Sequence, residues 1–256
     1  MSGKSAKKKK TPLGVVVLLI VLAAVCAAVF CLLTAPEDAP EQPTLPNETG
    51  TETTTATGNA NVQVDALEEV SIALPDGLRI TDVGSYTGMY MEDGSDEIVS
   101  GVMMIAVTNE GENAIQYAEI ILPVGEKTAQ FSLTTLPVGS TVILLEKNRM
   151  EYVPGSYTEA TATNVALFTA PLSLCEDQLQ FQILDGAINI TNISGGDITG
   201  DIVIYYKNSA ADVYYGGITY RVRLEGGMKA GEVRQIMASH FSDTGSTIMF
   251  VTCGDT

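Results

Sequence analysis

His240 is the only histidine in the chain, so any Ser-His-Asp or Cys-His mechanism would have to run through it. No nucleophile-elbow pattern G-x-S-x-G occurs in the sequence. The stretch Met237-Ala238-Ser239-His240-Phe241 reads as strand or turn framing. One histidine and the two distant cysteines outside the apolar N-terminal run, Cys175 and Cys253, make a poor zinc set. With 31 acids in the chain, no carboxylate pair can be singled out as acid and base. The run Glu92-Asp93-Gly94-Ser95-Asp96-Glu97 offers oxygen ligands for Ca²⁺ but lacks EF-hand spacing; an acidic hairpin tip is the ordinary reading. The expectation is therefore a protein that is not an enzyme, with no catalytic residue, no metal and no cofactor.

A recognition surface is the stronger candidate. Lys207, Arg221, Arg223, Lys229 and Arg234 lie close together beside Tyr205, Tyr206, Tyr214, Tyr215 and Tyr220. Tyr and Arg are the residue types that dominate binding surfaces. Tyr214, Tyr215, Arg221 and Arg223 are the candidate contact residues, for an anionic cell-wall polymer or an envelope protein. The alternative is a solvated sheet face paired with local acids. Cys175 and Cys253 are the candidate disulfide, with two free thiols as the alternative. By the chain-entropy model, closing the long loop from Cys175 to Cys253 is worth roughly 4–5 kcal/mol.

The elements that must carry these residues are strands. After Val62, short runs rich in Val, Ile, Tyr and Thr alternate with Gly, Asn, Asp and Pro clusters, and no segment has convincing helical periodicity. Ile218 to Leu224 alternates most clearly, with Ile218, Tyr220, Val222 and Leu224 on one face and Thr219, Arg221 and Arg223 on the other. Gly216-Gly217 just before it can supply the positive φ of a tight hairpin turn. The fold class expected is an all-β head of tandem small β-sandwiches, over 62–165 and 166–256.

A weak internal repeat supports the tandem reading. Ile105 to Asn109 followed by Ala118 to Leu122 resembles Ile188 to Asn192 followed by Asp201 to Tyr205, and Leu136 to Ser140 resembles Met228 to Glu232. The second copy is nine residues longer between its asparagine and its glycine, and the extra residues are expected around Asp212 to Gly217. This order of strand, Asn, Gly/Ser-rich turn and I-V-I-Y-Y strand resembles the small FxLYD-like β-sandwich modules of bacterial surface proteins. Tyr214 to Leu224 (YYGGITYRVRL) is similar to segments of membrane-anchored Firmicutes proteins. The F-x-L-Y-D signature itself is absent. The resemblance implies an extracytoplasmic binding or spacer module and carries over no catalytic residue.

Ahead of the head lie three other segments. Residues 1–12 hold a lysine cluster and read as a basic cytoplasmic tail. Leu13 to Leu33 has no charged residue; as a helix at about 1.5 Å per residue it spans roughly 30 Å of hydrocarbon, so the lipid bilayer is an expected partner. Residues 34–61, rich in Pro, Thr and acids, read as a disordered stalk. A net charge of −17, despite that lysine cluster, argues against nucleic-acid binding. Asn47-Glu48-Thr49, Asn189-Ile190-Thr191 and Asn192-Ile193-Ser194 match the glycosylation sequon, a chance pattern in a bacterial protein.

These readings lead to a single-pass membrane protein with a cytoplasmic N-terminus and an extracytoplasmic head, a binding or scaffolding protein of a bacterial cell envelope. The first alternative is an accessory subunit of a membrane complex for secretion or wall synthesis. The second is an extracytoplasmic enzyme of unknown class.

Overall fold

The structure, a computed structural model, describes residues 63–95 and 97–254. The expected tail, membrane helix and stalk lie outside the described residues. Among those described, no helix is long and apolar enough to cross a membrane. Among the described residues the head is mostly β, with thirteen strands and a single 3₁₀ turn at Pro75–Gly77.

In chain order the strands are β1 (Gln63–Ala73), β2 (Leu78–Met89), β3 (Ile98–Asn109), β4 (Ile115–Val124), β5 (Lys127–Leu136), β6 (Thr141–Leu145) and β7 (Thr161–Leu167). Then come β8 (Leu179–Leu184), β9 (Ala187–Asn192), β10 (Ile202–Ala210), β11 (Val213–Leu224), β12 (Val233–Met237) and β13 (Ser246–Cys253). They build a seven-stranded sheet of order β1-β2-β3-β6-β11-β10-β13 and two three-stranded sheets, β5-β4-β7 and β12-β9-β8.

Two separate cores fill the space between sheets. In the first half (β1 to β7), Ile80, Val83, Ile105 and Leu144 meet Ile120, Leu122, Phe131 and Leu133. In the second (β8 to β13), Ile188 and Ile190 meet Ile202, Ile204, Leu224 and Val251. Alternation explains the assignment. In β4, Ala118, Ile120, Leu122 and Val124 are buried, while Glu119, Ile121 and Pro123 between them are not. Each such aliphatic side chain withdrawn from water contributes on the order of 1.5–3 kcal/mol. Pro123 is tolerated because it lies past Ile121, where the pairing of β4 with β7 ends.

The halves share one hydrogen-bonding pattern. Asn109 ends β3 and Asn192 ends β9, and they are 0% and 1% exposed. Asn109 Nδ2 donates to the carbonyls of Asn113 and Leu136 at 2.9 and 3.0 Å, while its Oδ1 accepts from Gly111 N–H. Asn192 Nδ2 donates to Gly196, Met228 and Lys229, and its Oδ1 accepts from Ser194 N–H. Their backbone carbonyls accept from Gly139 and Gly231 N–H, and their N–H groups donate to Ser140 and Glu232. Ile115 pairs with Leu136 as Ile198 pairs with Met228. So β3, β4, β5, β6 and β7 correspond to β9, β10, β11, β12 and β13.

Strand register corrects the expected alignment by one residue. The buried pair Ala118–Leu133 matches Ile202–Leu224, so Asp201 to Tyr205 is not the counterpart of Ala118 to Leu122. One residue is added before β10, at Thr199 to Asp201, and one after β11, at Glu225 to Gly227. The remaining seven of the nine extra residues lie at the β10–β11 tip. There the first half has a two-residue turn, Gly125-Glu126, between Val124 and its partner Lys127.

Gly216-Gly217 is likewise not the hairpin turn. The turn is Ala211-Asp212, both at positive φ, and β11 runs on through the glycines as a bulge whose partner shift falls between Tyr206 and Asn208. The lengthened tip is what joins the halves. Val213, Tyr214 and Tyr215 pair in parallel with Thr141, Val142 and Ile143 of β6, making one continuous sheet.

Candidate functional site

The bulge divides the four candidate contact residues between two places. Tyr214 and Tyr215 lie before it, half-buried on the segment that pairs with β6, and Tyr214 packs against the first core. Arg221 and Arg223 lie after it, exposed, on the part of β11 that pairs with β10. The tyrosines belong to the joint and the arginines to an open sheet face, so the four do not form one site.

The joint is built around a buried cation. Lys207 is 0% exposed, and its Nζ donates to the carbonyls of Gly216, Gly217 and Ile218 at 2.9, 3.1 and 2.8 Å. The bulge turns these three carbonyls away from the ladder, and the ammonium satisfies them. Glu92 faces the same bulge. Its Oε2 accepts from Gly217 N–H and its Oε1 from Leu145 N–H, both at 2.8 Å. Burial pushes the Glu92 carboxyl up to about 7, against the pull of those two N–H groups and of Lys207. Burial also pushes the Lys207 ammonium down, with Glu92 holding it up. Thr134 Oγ1 donates to Gly217 O at 2.6 Å. A Cβ at Gly217 would lie 1.8 Å from Ser132 O, so only glycine fits there.

The acidic run 92–97 is thereby taken apart. Glu92 turns inward. Asp93 and Glu97 pair with Arg149, whose guanidinium lies 4.5 Å from the centre of the Tyr90 ring. Asp93 also accepts from Ser95 N–H, and its carboxyl is held below the usual range by the Ser95 hydroxyl, the Ser95 N–H and Arg149.

The open face on β11, β10 and β13 combines charge with aromatic surface. Arg221 stands opposite Tyr205, which stands opposite Phe250; Arg223 stands opposite Val203, which stands opposite Thr252. The Tyr205 and Phe250 rings stack at 4.1 Å, nearly parallel, and Phe168 meets Phe250 edge-on at 5.3 Å. Arg223 Nε donates to Asp201 Oδ2 at 2.6 Å, and Asp201 also accepts from Gly226 N–H. A flat aromatic step beside guanidinium groups can stack a ring and bind an anion bidentately. Phe168 and Phe250 escaped the sequence reading because they come from segments far from the Tyr/Arg cluster. Tyr206 and Tyr220, though within that cluster, stack on each other in the second core, and Tyr220 stacks on His240 at 5.0 Å.

Cys175, just ahead of β8, and Cys253, on β13, come together as free thiols. Cys175 Sγ donates to Val251 O at 3.5 Å. Burial, and then hydrogen bonding with Cys175, pushes the Cys253 thiol up to about 12. Leu74, four residues before β2, and Val165, on β7, serve the first core as packing residues in comparable places. Asn192 spends its amide on three carbonyls inside the fold, so its sequon is structural.

No protein-family model, no curated protein and no solved structure matches this chain.

Proposed function

We propose that the protein is a single-pass, membrane-anchored binding or scaffolding protein of a bacterial cell envelope. Its two halves are a tandem pair of β-sandwich modules held outside the membrane, and the face around Arg221 takes an anionic, ring-bearing envelope polymer. The observation that carries this is the stacked Tyr205–Phe250–Phe168 cluster beside Arg221 and Arg223, in a chain of net charge −17. A cationic aromatic face on an otherwise acidic protein concentrates its attraction in one place. The rings offer apolar contact to sugar rings, and the Arg221 guanidinium offers paired donors to phosphate or carboxylate, with Arg223, held by Asp201, adding positive charge beside it.

Co-sedimentation of the full chain with isolated wall material tests the reading. Arg221→Glu with Arg223→Glu should abolish binding, and Tyr205→Ala should weaken it; binding that survives both removes the proposal. Orientation is tested by protease shaving of intact cells, where a head digested only after lysis would mean the reverse topology. In an oxidising envelope Cys175 and Cys253 form a disulfide, two thiols giving up two protons and two electrons to a disulfide catalyst. Non-reducing peptide mapping of protein taken from that compartment should recover the bridged pair; recovery of both thiols free would refute it.

A further inference from the structure

The correspondence between the halves exposes one inequality. Strand β2 is the first-half counterpart of β8, since Leu78 pairs with Asn109 as Leu179 pairs with Asn192. The outer edge of β2 carries β1, registered from Gln63–Thr87 to Ala73–Arg79. The outer edge of β8 carries no strand among the described residues. Matching core positions record the difference. Ile105 and Ile188 are equivalent; Ile105 pairs with Val83 and Ile188 with Ile183. Val83 is 0% exposed, and Ile183 is 37% exposed. Ile80 is buried, while Phe181, opposite Ile190 as Ile80 is opposite Val107, is only half-buried.

The strand left open is unprotected. Leu179-Gln180-Phe181-Gln182-Ile183-Leu184 has no charge and no proline, the features that usually blunt an edge. Its outward face carries an amide ladder: Gln235 Nε2 donates to Asn189 Oδ1, and Asn189 Nδ2 donates to Gln182 Oε1. That ladder reaches the edge and stops.

We infer that the free edge of β8 pairs antiparallel with β8 of a second copy of this chain, joining two β12-β9-β8 sheets into one about a twofold axis. The strand is its own complement. With Phe181 opposite Phe181, Gln180 meets Gln182 and Leu179 meets Ile183, so apolar side chains meet apolar ones and the amide ladder continues across the axis. Isologous contact of this kind closes at two copies. The occupant is a second copy because the strand is its own complement and carries no charge, so two acidic heads meet there without opposing like charges. A single strand pair is a small contact, so association in free solution is weak and is favoured when chains share a surface.

The test uses the purified full chain in detergent, with sedimentation across a concentration series. The wild type should show a reversible monomer–dimer equilibrium. Gln180→Lys with Gln182→Lys should abolish it by placing like charges opposite one another, with an unchanged circular dichroism spectrum and melting temperature. Gln180→Glu with Gln182→Glu should also be monomeric, and an equimolar mixture of the two variants should form a heterodimer. A wild type that stays monomeric at every concentration, a lysine variant that still dimerises, or a mixture that fails to pair each overturns the inference. So does an edge that takes up a foreign extended peptide while the chain stays monomeric.

Discussion

Both halves of the head use the same turn device, yet they finish their edges in opposite ways. Asn109 and Asn192 each bury an amide that gathers the carbonyls of two loops. The first half has its outer strands covered, β2 by β1 and β6 by the tip of β11. In the second half, β8 and β12 end their sheet. The repeated part is therefore the hydrogen-bonded frame, and the individual part is what lies along the edges. One half serves as a platform for the other and ends the shared sheet with the added strand β1, while the second presents both the Arg221 face and the open strand β8.

The strongest way to break this comparison is to make the tips alike. Replacing Lys207–Thr219 with the first-half sequence Pro123–Thr128 removes the segment that pairs with β6. The wild-type head should unfold in one transition and the replaced chain in two, read by calorimetry; one transition in both would mean the halves are coupled elsewhere. Lys207→Met takes the ammonium from three carbonyls, of which that of Gly217 keeps a second donor, Thr134 Oγ1, and leaves Glu92 without its counter-charge. It should cost about 3–5 kcal/mol by urea denaturation, the usual cost of breaking a buried charge pair. The sign of its pH dependence follows from Glu92. A carboxyl whose folded value is raised from 4.5 to about 7 keeps its proton longer in the folded state. Its contribution to stability therefore falls as pH rises through that window. The Lys207→Met deficit should be smaller at the acid end of that window than above it, and equal deficits would show that Glu92 does not sense Lys207.

Sharpening the comparison calls for matched substitutions. Asn109→Ala and Asn192→Ala should each cost about 1–3 kcal/mol, by leaving buried carbonyls unsatisfied. Similar values in denaturation would express the equivalence of the two turns, and a neutral result at either would contradict it. The smallest effect belongs to the open face. Arg221→Glu with Arg223→Glu should lower the melting temperature only slightly, through loss of the exposed Arg223–Asp201 pair, while removing polymer binding.

The repeat was legible because buried asparagines and positive-φ glycines are rare residue choices with fixed spacing. Its register in β10 was not, for a physical reason. Val203 and Tyr205 point outward yet are apolar, so Ile202–Tyr206 shows no alternation to fix which face is which. Gly216-Gly217 signalled positive φ correctly, but a bulge and a hairpin turn ask for the same residue. Lys207 looked like one more surface cation, because a buried ammonium is identified only by the carbonyls around it. The Tyr/Arg cluster was legible as a cluster and misleading as a face. Adjacent positions along a strand point to opposite sides, and the bulge moved the tyrosines to another neighbour altogether.

The lengthened tip of β11 also bears on mechanics. A force applied at the Arg221 face and resisted at β1 crosses from one half to the other through backbone pairs between β11 and β6, clamped at the crossing by Lys207 and Glu92. No slack connector takes up the first part of the pull. The head should therefore behave as a stiff lever, in which thermal bending is small and a load on one end is felt at the other.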